Sequence, residues 1–231
     1  MTTFDLIDFY LFDYISTAHR KDLNLCGCCS MVEEMNEIRK LYNTSGRKIE
    51  DVLTKCVCNR HGHQYCIPED AVKDAVDKLL KSRFCSDSLI EVPLVNKGKL
   101  AGKFEDFEEL YDFIKSVIGN VKGIGLLTIY DTARRIGHLL DTPVYPKEYI
   151  YLAAGAKTGA ENLLNLKPNS LKFREPTKIF YPYFGTLPSA FIEDMLCIFE
   201  DDLKNLSNKA VKNVIKKAVK LLNSKGIVKV V

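Results

Sequence analysis

Apolar residues return every three or four positions over most of this chain, the spacing that places side chains on one face of an α-helix. Phe4, Ile7 and Leu11 follow it near the start, and Val72 and Val76 follow it further on. The pattern predicts helices over residues 3–17, 31–42, 48–55, 68–84, 104–118, 126–140, 188–203 and 209–222, and another that starts over 147–154. At most one short segment has an extended pattern, so the sequence predicts an all-α fold.

The stretch between residues 85 and 102 is less regular than its surroundings. Residues 89–95 suit a short strand or an extended linker, and Pro93 argues against a central strand because proline has no N–H to donate. We therefore expect a boundary here. It would divide an N-terminal helical part rich in cysteine and histidine, 1–88, from a C-terminal helical part, 89–231.

Composition narrows the class of protein. The chain has 231 residues, 46% of them hydrophobic and 27% charged, so it can bury a full core and is expected to fold. No apolar run is long enough to cross a bilayer, and aspartates interrupt the apolar N-terminal stretch, which argues against a secretory signal. We expect a cytoplasmic protein without a membrane partner. After Asp202 the chain has eight lysines and no acidic residue, which suits either a polyanion or a solvated face.

Six of the eight cysteines crowd into residues 26–66. Without a secretory signal they are expected to be thiols rather than disulfides. Three pairs have the x-x spacing of zinc ligands, and two such pairs can supply a tetrahedral site. The predicted ligands are Cys26, Cys29, Cys58, His61, His63 and Cys66.

Other interpretations of this cluster stay open. Thiolates also hold iron–sulfur clusters, and free cysteines are often simply buried in helix packing. A nucleophilic cysteine is a further alternative, but no third residue that would orient a Cys–His pair can be identified. The sequence alone does not choose between these roles.

A glycine-rich turn joins the predicted helices 104–118 and 126–140. Gly119, Gly123 and Gly125 fall within seven residues, which marks a tight turn where another backbone can come close. The second helix begins just after Gly125. Its first N–H groups have no intrahelical partner, and together with the helix dipole they form a ready site for a phosphate.

This turn resembles the helix-hairpin-helix motif of DNA-binding and DNA-repair proteins. Val121, Gly123, Ile124, Gly125 and Thr128 occupy key positions of the motif, whereas Lys122 stands where proline is frequent and Ile129 where a small alanine is usual. The match covers about a tenth of the chain. It implies an orthogonal bundle of helices that binds DNA. The candidate DNA-binding residues are Lys122, Gly123, Gly125, Thr128, Arg134 and Arg135. An ordinary helix–turn–helix corner, with glycines needed for packing, is the alternative.

The resemblance extends to DNA glycosylases and implies a search for their catalytic residues. In that superfamily an aspartate follows the hairpin and assists base excision, and Asp141 is the nearest candidate, although it comes early. Some members use a lysine in the second hairpin helix, but this chain has none between Lys122 and Lys147. Whether the chain is an enzyme therefore stays open.

Two further segments have alternative interpretations. The loop 166–187 interleaves basic and aromatic residues, which suits single-stranded or flipped nucleic acid, or a loop pinned to the core by its rings. Gly155 and Gly159 lie among alanines, which favours close helix packing over an approach to a ligand.

Two functions follow from these observations. The first is a DNA-binding protein of glycosylase-like helical fold, with a possible role in base excision repair. The second is a non-enzymatic, zinc-stabilised helical protein that acts through protein partners, with the lysine-rich C-terminal helix as a docking surface.

Overall fold

A computed structural model describes residues 31–44, 46, 48–58, 67–85, 89–185 and 187–204. The predicted helices 3–17 and 209–222 lie outside these residues. The described residues form two compact units, Met31–Pro146 and residues 147–204. The boundary expected after residue 88 stays a prediction.

Five helices build the unit Met31–Pro146. They are α1 (Met31–Asn43), α2 (Ile49–Val57), α3 (Glu69–Lys81), α4 (Phe107–Ile118) and α5 (Leu126–Leu139). Each lies where the apolar spacing predicts it, within a few residues. α5 packs against α4, α2 and α1, so it is the central helix of this unit.

The start of α4 follows from its sequence. Asp106 is the N-cap and its Oδ1 accepts from the Glu109 N–H at 2.8 Å, while the Glu109 carboxylate accepts from the Glu105 N–H at 2.8 Å. The first bond satisfies a backbone donor that the helix leaves open, and the second fixes the residue just before the N-cap. The buried face of α4 consists of Phe107, Leu110, Tyr111, Ile114 and Ile118.

Two small antiparallel ladders join α3 to α4. β1 (Arg83–Cys85) pairs with β2 (Glu91–Pro93), and β3 (Val95–Asn96) pairs with β4 (Lys99–Leu100). The helix predicted to reach residue 84 ends at Lys81, so that part of the prediction is wrong. Phe84 is buried between two exposed neighbours, the alternation of a strand, and the ring packs 4.6 Å from that of Phe104.

The second unit, residues 147–204, begins with a strand where the sequence predicts the start of a helix. β5 (Tyr149–Tyr151) pairs with β6 (Arg174–Pro176), so the helix prediction over 147–154 is wrong. The residues Tyr-Ile-Tyr favour a strand, and pairing with β6 accompanies burial of Ile150 and Tyr151. The helix proper, α6 (Ala154–Leu163), starts at the end of the predicted range.

The rest of this unit is helical. A 3₁₀ turn (Thr177–Phe180) leads into α7 (Tyr181–Phe184), followed by α8 (Ser189–Ile198) and α9 (Glu200–Lys204). α6 packs against α8 and α9. Their shared core includes Ile150, Leu152, Phe180, Phe184, Ile192, Met195 and Leu196. The described chain is thus mostly α-helical, with three two-stranded ladders. Within the described residues, no helix combines the length and the apolar character that a bilayer span requires.

Candidate nucleic-acid interface

The glycine turn between α4 and α5 is built from two consecutive tight turns. The Val121 N–H donates to the Ile118 carbonyl at 3.0 Å, and the Ile124 N–H donates to the Val121 carbonyl at 3.1 Å. Gly123 is the third residue of the second turn and has φ 94°, the backbone region that glycine adopts without strain. The turn therefore needs glycine at 123 for conformational reasons.

Apolar side chains hold the turn to the core while its glycines face outward. Val121 and Ile124 are buried, with exposed fractions of 4% and 9%. Lys122 and Gly123, between these two residues, and Gly125, directly after Ile124, are exposed. The alternation directs two anchors inward and leaves the backbone of the glycines at the surface.

Gly125 is the N-cap of α5, and a Cβ built on it would have no described atom other than those of its chain neighbours within 4 Å. Its backbone is extended, with φ −100° and ψ 175°, and no side chain caps the helix. The first bond of α5 runs from the Ile129 N–H to the Gly125 carbonyl at 3.0 Å. No described residue accepts a hydrogen bond from the N–H groups of Leu126, Leu127 or Thr128. These donors are open at the positive end of a 14-residue helix.

Both signs of charge lie around this turn. Lys122 is exposed within it, and Lys115 is exposed in the last turn of α4. A Cβ built on Gly123 would meet Pro68 Cδ at 3.4 Å, so the start of α3 lies beside the turn. Glu69 and Asp70 follow Pro68 in the first turn of α3. Two carboxylates thus begin a neighbouring helix and limit the positive potential of the surface.

Arg134 and Arg135 do not lie at the exposed turn. Their exposed fractions are 9% and 3%, and both guanidinium groups approach Asp131, at 4.0 and 3.8 Å. Arg135 Nη1 also donates to the Cys56 carbonyl at 2.9 Å, and Arg134 lies over the Tyr130 ring. Sequence spacing along α5 could not show which of its cations face the core.

Asp141 lies at the other end of α5 from the glycine turn. A helix of 14 residues is about 21 Å long, so the aspartate and the turn are well separated. Asp141 is exposed in a loop that folds back onto the helix, where the Val144 N–H donates to the Gly137 carbonyl at 3.2 Å. The structure does not bring Asp141 together with the glycine turn that carries Lys122, Gly123 and Gly125.

A polar cluster beside this loop had no counterpart in the sequence interpretation. Arg39 on α1 donates from Nε to His138 Nε2 at 3.1 Å and from Nη2 to the His138 carbonyl, and His138 Nδ1 lies 3.1 Å from the Tyr145 hydroxyl. Burial, and then the charge of Arg39, lower the pKa of His138 from its ordinary value of 6.5. Arg39 and His138 are 99 residues apart, so no local pattern could pair them.

The predicted metal ligands fall almost entirely outside the described residues. Cys26, Cys29, His61, His63 and Cys66 are among the residues not described. Cys58 is described as a half-buried C-cap of α2 whose N–H donates to the Thr54 carbonyl. Within the described ranges, no group of three or more metal-ligating side chains could hold an ion. The zinc hypothesis stays a prediction.

The loop 166–187 divides between core and surface. Phe180 and Phe184 belong to the core, and Arg174 lies over the Tyr149 ring, with 5.2 Å from its Cζ to the ring centroid. Lys178 is exposed, and Tyr181 has an exposed fraction of 46%. Aromatic rings therefore anchor this loop, as one of the two interpretations expected.

Comparison of the chain with models of protein families, with characterised proteins and with solved structures found no match.

Proposed function

We propose that this chain binds DNA through the glycine turn between α4 and α5, which holds a backbone phosphate. The observation that carries the proposal is Gly125. The fold gives that position ordinary extended backbone and open space, so neither strain nor packing requires glycine there. A glycine N-cap leaves the first amides of α5 uncovered, whereas serine, threonine or aspartate would cover one of them.

The chemistry of the turn fits a phosphate monoanion in a chain of nucleotides. Three open N–H groups and a helix dipole favour a negative oxygen at the start of α5. The exposed ammonium group of Lys122 adds a charge that could meet the same phosphate or its neighbour. Such contacts position a protein on DNA without reading its sequence, so we propose binding with little sequence preference.

The proposed contact set is narrower than the one expected from the sequence. It keeps Lys122, Gly123, Gly125 and Thr128. It leaves out Arg134 and Arg135, because both guanidinium groups are buried and engaged inside the unit. Base excision by Asp141 is a separate hypothesis and stays a prediction. Asp141 is an exposed carboxylate on a loop, and it does not lie in the protected site that acid–base catalysis on a DNA base would need.

Fluorescence anisotropy with labelled duplex and single-stranded oligonucleotides tests the proposal. We expect the observed association constant to fall as salt rises, because each neutralised phosphate contributes about 0.9 to the slope of log K against log salt for duplex DNA. Lys122→Ala should reduce that slope by roughly one contact.

Lys103→Ala is the matched control. Lys103 is exposed and lies four residues before the N-terminus of α4, whereas the glycine turn follows the C-terminus of that helix. The helix has 12 residues and is thus about 18 Å long, which separates Lys103 from the turn. It should leave the slope unchanged. No binding to either oligonucleotide, or equal losses for the two variants, would contradict the proposal and favour a protein partner instead.

A further inference from the structure

The contacts of His138 define which of its ring nitrogens holds a proton. Arg39 Nε always has a hydrogen to donate, so His138 Nε2, 3.1 Å away, must be the acceptor. A neutral imidazole with an accepting Nε2 holds its proton on Nδ1, which then donates to the Tyr145 hydroxyl at 3.1 Å. The geometry thus requires neutral His138.

Arg39 also ties two helices together. It lies on α1, and its Nη2 donates to the backbone carbonyl of His138 in the last turn of α5. A cation is favourable at the carbonyl end of a helix because of the dipole. One side chain of α1 therefore holds the end of α5 by its ring and by its backbone at once.

We propose that Arg39 and His138 form an acid-sensitive latch that fastens α1 to the C-terminal end of α5. Protonation of Nε2 removes the acceptor for Arg39 Nε–H and places a second positive charge beside the guanidinium group. The latch is closed when His138 is neutral and is weakened when His138 is charged. This inference is independent of DNA binding.

Other groups around α5 are consistent with Arg39 as the controlling charge. The following loop contributes the Tyr145 hydroxyl and the exposed Asp141, and within the described residues Asp141 forms no ion pair with His138 or Arg39. The other ionisable residues with described side chains on the packed helices are Glu37, Lys40 and Tyr42 on α1, Glu50, Asp51, Lys55 and Cys56 on α2, Glu108, Glu109, Tyr111, Asp112 and Lys115 on α4, and Tyr130, Asp131, Arg134 and Arg135 on α5 itself. Burial and Arg39 are the two causes that lower the pKa of His138.

The sign of the pH effect follows from that lowered pKa. The unfolded chain binds a proton at His138 more readily than the folded chain, whose pKa lies below 6.5. The latch therefore contributes its full stability above pH 6.5, and the contribution is lost as pH falls through the folded pKa. The latch is therefore expected to weaken only below pH 6.5.

The test is an NMR titration of the histidine rings of the full chain from pH 8 to pH 5, with His138→Gln to assign the signal. We expect a pKa below 6.5 for His138 in the wild type. Arg39→Gln removes the charge and should move that pKa upward. Tyr145→Phe keeps the Arg39 contact and is the control that should retain a lowered pKa.

Two further readouts keep the test decisive. The stability difference between wild type and Arg39→Gln, from urea unfolding, should shrink between pH 7.5 and pH 5.5. If Arg39→Gln does not fold, the Arg39 Nε–H signal of the wild type should weaken with the same midpoint as the His138 ring. A wild-type pKa at or above 6.5, a pKa that Arg39→Gln leaves unchanged, or an Arg39 signal insensitive to pH would overturn the latch.

Discussion

Gly125 and Gly159 lie at helices in different units, and a methyl group added to each would meet opposite surroundings. A Cβ on Gly159 would come within 1.9 Å of the Leu196 carbonyl oxygen, because α6 and α8 pack backbone against backbone there. A Cβ on Gly125 would meet nothing within 4 Å. Packing explains the first glycine completely and leaves the second without a structural requirement. The comparison therefore distinguishes Gly159, which the packing of two helices requires, from Gly125, which packing does not require and which is a candidate for binding a ligand at the surface.

The largest expected effect is at Gly159. Gly159→Ala should lower the free energy of unfolding by at least about 3 kcal/mol, because the obstacle is backbone that cannot move aside without separating α6 from α8. Urea unfolding measures it. Gly155→Ala on the same helix is the control, since its Cβ would meet the ends of the Glu200 and Cys197 side chains at 2.9 and 3.1 Å. Equal costs for the two variants would contradict the tight contact.

A smaller effect is expected at Gly123. Its φ of 94° strains any other residue, so Gly123→Ala should cost about 1–2 kcal/mol in unfolding experiments. Its Cβ would be in ordinary contact with Pro68, so strain and not collision sets the cost. Gly98→Ala, with φ 74° and nothing within 4 Å, should cost a similar amount without altering DNA binding. If Gly98→Ala lost as much stability as Gly123→Ala and also weakened DNA binding, the result would contradict a specific role of the glycine turn in binding DNA.

The smallest effect sharpens the electrostatic side of the comparison. Glu69→Gln removes one carboxylate at the start of α3, which lies beside the turn. It should leave stability within about 0.5 kcal/mol and raise DNA affinity modestly at low salt, with the gain fading as salt screens the charge. Asp74→Asn on the same helix is a control, because Asp74 pairs with Lys78 at 3.2 Å two turns away from Pro68. Lower affinity for Glu69→Gln would contradict an anion at this turn.

Much of the helical architecture could be predicted from the sequence, because the buried face of each helix consists of apolar residues three or four positions apart. α4 is the clearest case, with a cap, acidic first turn and apolar stripe all visible in residues 104–118. The strand β5 was missed because its partner β6 begins 23 positions beyond it in the sequence, and pairing with that distant segment overrides local spacing. Strand β1 was missed for a different reason: its partner β2 is close in sequence, but Phe84 continues the apolar spacing of α3, so the helix prediction ran on through it.

The glycine turn of the candidate site could be predicted from the sequence, but the residues that surround the turn could not. Gly123 and Gly125 could be identified because turn chemistry is local. The burial of Arg134 and Arg135 depends on which face of α5 meets α2, which spacing does not reveal. The neighbourhood of Pro68, and the pairing of Arg39 with His138, arise from contacts between segments distant in sequence.

The most direct measurement compares Gly125→Asp with wild type for DNA affinity and for stability in the same preparation. Aspartate suits an N-cap with extended backbone, so the variant should be as stable or a few tenths of a kcal/mol more stable. Its carboxylate would occupy the place of the phosphate, and loss of a charge-assisted contact should weaken DNA binding about tenfold or more.

Ala153→Asp is the matched control. Ala153 is the N-cap of α6 in the other unit and also lacks a side-chain cap bond. Aspartate there should not change DNA affinity. Our account predicts a stable Gly125→Asp protein that has lost DNA affinity. A Gly125→Asp protein that binds DNA as tightly as wild type would contradict it.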